Sequence, residues 1–99
     1  MSDTPLQAVA TLAAHRTSID RLDAILIQTL AERFSHTTLI GQLKYEHNLP
    51  PSDPLREQQQ FNRIEKLAHE SGLDPDFAKK ILRTVIDEVL KTYPDTLSR

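Results

Sequence analysis

The 99-residue sequence has no cysteine and no tryptophan, and only two glycines. Without cysteine there can be no disulfide, zinc thiolate site or thiol nucleophile, which fits a reducing compartment. Gly41 and Gly72 alone offer little material for tight hairpin turns, so an all-α chain is expected. No apolar run approaches the roughly 20 residues of a membrane span. The leading MSDTPLQ also lacks the basic-then-apolar order of a signal peptide, and a cytoplasmic setting is the expectation. Positive charge is not in excess: 12 Lys+Arg against 14 Asp+Glu leave a formal net charge of -2. That balance argues against nucleic acid or an anionic membrane as the partner. The sequence carries neither a glycine-rich phosphate loop nor a Gly-x-Ser-x-Gly context around Ser18 or Ser35. His15, His36, His47 and His69 lack the spacing and acidic company of a helical metal site. Neither nucleophilic nor metal chemistry is expected.

What the sequence does contain is ordinary for a globular chain, with 38% hydrophobic and 26% charged residues, and its length suits a single domain over 1–99. Asp53-Pro54 and Asp74-Pro75 each join a capping carboxylate to a proline at the first helical position, where the missing N–H is not needed. Gly72 suits a left-handed cap, and Pro94 disfavours helical geometry at Tyr93. These marks predict three helices at about 6–46, 54–71 and 75–92, followed by a mobile tail from Pro94. The first starts after an Asp3 or Thr4 cap, or only near Thr11. A first helix of some 40 residues would run about 60 Å, too long for its apolar stripe to be covered by a chain of this size. An intertwined homodimer is therefore expected. The alternative is a break near Ser35-His36-Thr37-Thr38, giving a four-helix monomer.

At 100° per residue, Leu12, Leu22, Leu26, Leu30, Phe34, Thr37, Ile40 and Gly41 share the face centred on Ile19. Arg16, Arg33 and Lys44 fall in the same sector. Long cations on a core face either snorkel and pair with acids, for which Asp23, Asp53 and Glu57 are candidates, or they line a pocket for an anion. Three together favour the pocket, because unpaired buried cations are costly. Arg56 lies in the first turn of the second helix, where the dipole disfavours a cation, so it is expected to face a ligand or an acid. Phe61, Ile64 and Leu67 should turn to the core. So should Phe77, Ile81, Leu82, Val85, Ile86, Val89 and Leu90, with Tyr93 extending that face or touching ligand.

Six short segments in order carry a resemblance. They are Arg16-x-x-Ile19-Asp20-x-Leu22-Asp23, Leu30-Ala31-Glu32-Arg33-Phe34, Ile40-Gly41-Gln42-Leu43-Lys44, Asp53-Pro54-Leu55-Arg56-Glu57, Gly72-Leu73-Asp74-Pro75-Asp76-Phe77 and Ile86-Asp87-Glu88-Val89. Across about residues 12–93 the chain resembles the AroQ-type (type II) chorismate mutases. The resemblance implies an intertwined all-helical homodimer that converts chorismate to prephenate, on the way to phenylalanine and tyrosine, with no cofactor. It further implies that Arg16 from the partner subunit and Arg33 hold the substrate carboxylates and that Lys44 takes the ether oxygen. Asp53 and Arg56 then line the pocket, and Glu57 accepts the substrate hydroxyl. In the last helix many members carry a serine and, four residues on, a glutamine or glutamate that donates to the ether oxygen. This chain has Val89 and Tyr93 there, so low activity is expected, with the Tyr93 phenol partly replacing the lost donor. Rival readings are an isochorismate-pyruvate lyase, a weakly active regulatory dimer docking to another shikimate-pathway enzyme, and a helical dimerisation module with no small-molecule site.

Overall fold

The computed structural model describes the backbone of residues 4–97 and the side chains of residues 4–91. The chain is all-α, with α1 at Pro5–Glu46, α2 at Pro54–Ser71 and α3 at Pro75–Leu97. It divides into two units, Met1–Ser35 and His36–Arg99. The 42-residue α1 is helical throughout, including Ser35–Thr38, the stretch at which the units divide. Among the described residues no helix is long and apolar enough to cross a membrane.

In the first unit α1 begins with a capping box. The Gln7 N–H donates to Thr4 Oγ1 at 3.2 Å, and the Thr4 N–H donates to Gln7 Oε1 at 2.8 Å. Two otherwise orphaned donors are thereby satisfied reciprocally, and Pro5 lies at the next position, where it gives up no needed bond. Thr4 is thus the cap. Asp3, the other candidate, lies outside the described residues. The face expected to form a core is not buried in the single chain: Ile19, at its centre, is 53% exposed, and Leu12, Leu22 and Leu26 are exposed as well. Leu30 and Phe34 are half-buried.

In the second unit the end of α1 is closed by Asn48 in the left-handed region, at φ 55°. The Asn48 N–H donates to the Tyr45 carbonyl at 3.3 Å and the Leu49 N–H to the Lys44 carbonyl at 2.8 Å. This pairing is a Schellman cap, with asparagine in the glycine position. Gly72 closes α2 in the same way, at φ 74°, with the Leu73 N–H on the Ala68 carbonyl at 2.9 Å. The three-residue connection Gly72–Asp74 then reverses the chain. Asp74 caps α3, accepting from the Asp76 N–H at 3.0 Å.

The helices α2 and α3 form an antiparallel hairpin. Ala68, Ala78 and Leu82 are buried between them, and two alanines at the contact allow the backbones to approach closely. Phe61, Ile64, Val85, Ile86 and Val89 are half-buried. Leu67, Phe77, Ile81 and Leu90, also expected on the core face, are exposed in the single chain. Two cross-helix ion pairs join α2 to α3, Lys79 Nζ to Glu65 Oε2 at 2.9 Å and Arg83 Nη2 to Glu57 Oε1 at 2.7 Å.

The end of α3 differs from expectation. The helix runs through Tyr93 and Pro94 to Leu97, so residues 94–97 are helical and are not a loose tail. Residues 98–99 lie outside the described residues. Pro94 has no N–H to give the Leu90 carbonyl, so a single helical bond is lost. Its effect on Tyr93 is a preference against helix rather than a prohibition.

Candidate active site

The best-defined part of the site is the first turn of α2. Asp53, at φ -141° and ψ 82°, is outside the helix, and its Oδ1 accepts from the Arg56 N–H at 3.1 Å. Its own carbonyl accepts from the Glu57 N–H at 3.0 Å, closing the first helical bond. One aspartate therefore fixes the backbone of both Arg56 and Glu57. Pro54 at the first helical position makes this conformation locally favoured.

Lys44 stands in the last turn of α1 and is half-buried. Its Nζ donates to the Pro51 carbonyl at 3.4 Å, tying the ammonium to the loop that leads into Asp53. The bond is long, and an ammonium has two further protons to give a ligand. Lys44, Asp53, Arg56 and Glu57 are thus all carried by one short stretch, the end of α1, its loop and the start of α2.

Glu57 is half-buried and its carboxylate is held from α3. Arg83 is the partner, and the sequence reading did not single it out. Arg83 also places Nη1 3.8 Å from Asp87 Oδ1, and its guanidinium carbon lies 4.7 Å from the centroid of the Phe61 ring. The hydrogen bond to Glu57 is the main reason its pKa is raised above the ordinary arginine value, with the Glu57 and Asp87 charges adding to it. Along the sequence the visible pairing is Arg83 with Asp87, one turn on. The shorter bond, to Glu57, follows only from the register of the hairpin.

The remaining candidates stand as follows. Arg16 is exposed and has no ion-pair partner among the described residues, and Arg33, in the same unit, is half-buried. Val89 is half-buried on α3 and is aliphatic, so it has no side-chain proton to donate. The Tyr93 side chain lies outside the described residues. No group of three or more His, Asp or Glu side chains suited to a metal ion occurs among the described residues.

Cations and acids without a nucleophile are suited, as a chemical set, to orienting and electrostatically stabilising an anionic reactant. Residues 15–92 match the family described as chorismate mutase type II, a segment that opens one residue before Arg16 and closes one before Tyr93. The chain is 33% identical over 76 residues to the chorismate mutase of Methanocaldococcus jannaschii, with 77% of each chain covered. It is 35% identical over 80 residues to the T-protein of Enterobacter agglomerans, where 81% of this chain corresponds to 21% of that protein. The chain thus spans about a fifth of that longer relative. It is 30% identical over 87 residues to the 4-amino-4-deoxychorismate mutase of Streptomyces pristinaespiralis, covering 88% of this chain and 67% of that one. With the matched segment taking in Arg16, Arg33, Lys44, Asp53, Arg56 and Glu57, the chain belongs to the AroQ-type, or type II, chorismate mutase family.

Proposed function

We propose that this protein is a chorismate mutase that rearranges chorismate to prephenate. The observation that carries the reading is the family match over residues 15–92, within which the expected cations and acids all fall. In this reading Arg33 and, from a second copy of the chain, Arg16 bind the two carboxylates. They hold the enolpyruvyl arm over the ring, so that the reacting carbons meet in one conformer. The ether C–O bond breaks as the new C–C bond forms, and no group leaves. Lys44 donates to the ether oxygen, where negative charge grows in the transition state and is small in the ground state, which is the condition for lowering the barrier. Arg56 and Asp53 line the same pocket, and Glu57 accepts from the substrate hydroxyl. Val89 supplies no second donor to the ether oxygen, and the Tyr93 phenol takes that part incompletely, so turnover is low for the family.

The homodimer belongs to the same proposal. Its support is the run of exposed apolar residues along α1, Leu12, Ile19, Leu22 and Leu26 among them, which a second copy would cover. Product analysis tests the reading. Prephenate should appear mole for mole as chorismate disappears, with no pyruvate released from isochorismate. Pyruvate release would assign the lyase reaction instead, and turnover of neither compound would remove the enzyme reading. The 4-amino-4-deoxychorismate mutases among the relatives motivate one further substrate, in which an amine replaces the C4 hydroxyl. It belongs in the same assay.

A further inference from the structure

Glu57 is not an isolated carboxylate. Its Oε1 receives Arg83 Nη2 at 2.7 Å, and among the described residues no donor is placed on Oε2. We propose that Arg83 is a specificity-determining positioning residue: it occupies one oxygen of Glu57, offsets its charge, and leaves the other to accept from an uncharged hydroxyl in preference to an ammonium. The inference rests on the proposed role of Glu57 toward the substituent at C4 of the substrate.

The geometry gives Arg83 both the charge and the fixity for this. Its guanidinium is held by Glu57, by the more distant Asp87 and by the face of Phe61, so it is anchored on three sides. A planar guanidinium with that anchoring locks the carboxylate rotamer better than a mobile lysine could. A hydroxyl donating to Oε2 brings no charge toward the guanidinium. An ammonium at the same point brings a like charge to within a few ångströms of it, and the repulsion cancels part of its attraction to the carboxylate. Without Arg83, the Glu57 and Asp87 carboxylates would stand as two uncompensated negative charges, an environment that welcomes a cation. Both side chains of the ion pair are partly exposed, Arg83 at 47% and Glu57 at 37%, so water weakens the effect without abolishing it.

The test compares kcat/KM for chorismate and for 4-amino-4-deoxychorismate at about pH 6.5, where an ordinary amine is protonated. It uses the whole chain as wild type, Arg83→Gln, Arg83→Met and Arg83→Lys, each checked for a cooperative thermal melt. Both neutral variants should lower the preference for the hydroxyl substrate about tenfold, as expected of a repulsion between surface and aqueous limits, and Arg83→Lys should restore most of it. Arg83→Met keeps an apolar stem over Phe61, so a packing defect confined to Arg83→Gln is recognised by disagreement between the two. If chorismate is turned over and the neutral variants slow both substrates equally, or leave the ratio unchanged, the role given to Arg83 is wrong while the mutase reading stands. If wild type turns over neither substrate, the reading of Glu57 falls and the inference with it.

Discussion

Replacing Asp53 by alanine removes the oxygen that receives the Arg56 N–H at 3.1 Å and leaves that donor at the head of α2 to water. Loss of an aspartate cap typically costs about 1 kcal/mol. For a domain of about 100 residues that corresponds to a fall in Tm of roughly 4–8 °C. The cap residue is exposed, so no cavity adds to this figure. Asp53→Ser keeps an acceptor at the same position and forfeits only the charge near the helix N-terminus, a matter of a few tenths of a kcal/mol at an exposed site. Thermal melts of the three proteins at one fixed concentration, which matters because association raises apparent stability, should therefore rank wild type and serine together above alanine. Turnover measured well below the melts separates the two roles of the residue. Serine should restore stability yet leave kcat/KM lowered, because the proposed function has the Asp53 carboxylate lining the substrate pocket. An alanine variant as stable as wild type, or a serine variant as unstable as alanine, would refute the reasoning about the cap.

Gly72→Ala puts a Cβ at φ 74° with no neighbouring atom within 4 Å, so the change should be purely a backbone penalty of about 1–2 kcal/mol. Gly72→Asn should be milder, as left-handed Asn48 at the end of α1 illustrates, and chemical denaturation with an unchanged m-value would verify both. Lys79 has its pKa raised above the ordinary 10.5, chiefly by its hydrogen bond to Glu65. A raised folded-state value means that the stabilisation is fully present below pH 10.5 and is lost as pH climbs through the folded pKa. The Tm gap between wild type and Lys79→Met should accordingly hold steady through neutral pH and close in alkali; a gap that widened there would reverse the sign.

Much of the fold is legible because its punctuation is local. Asp53-Pro54 and Asp74-Pro75 set the starts of α2 and α3 through bonds spanning two or three residues, and Gly72 ends α2 by a conformation that asparagine and glycine tolerate best. The same local logic overstated Pro94, whose single missing bond does not outweigh continuation of α3 to Leu97. The apolar stripe on α1 is read from a period, and a period says which residues share a face and not which chain covers them; Ile19 and its neighbours are exposed here. Lys44 stands out through the spacing of charges along α1, whereas Asp53 and Glu57 enter the candidate site only through the family resemblance. Arg83 escaped because its partner is 26 residues away, and nothing in a helical period connects α2 to α3.

The most direct test of the account is the rate of chorismate loss catalysed by purified wild type and by Lys44→Ala, each confirmed as folded in the same buffer. Wild type should convert chorismate to prephenate, and removing the ammonium proposed to donate to the ether oxygen should lower kcat by about 10²–10³-fold. A wild-type protein with no turnover, or a Lys44→Ala variant as fast as wild type, would contradict the account.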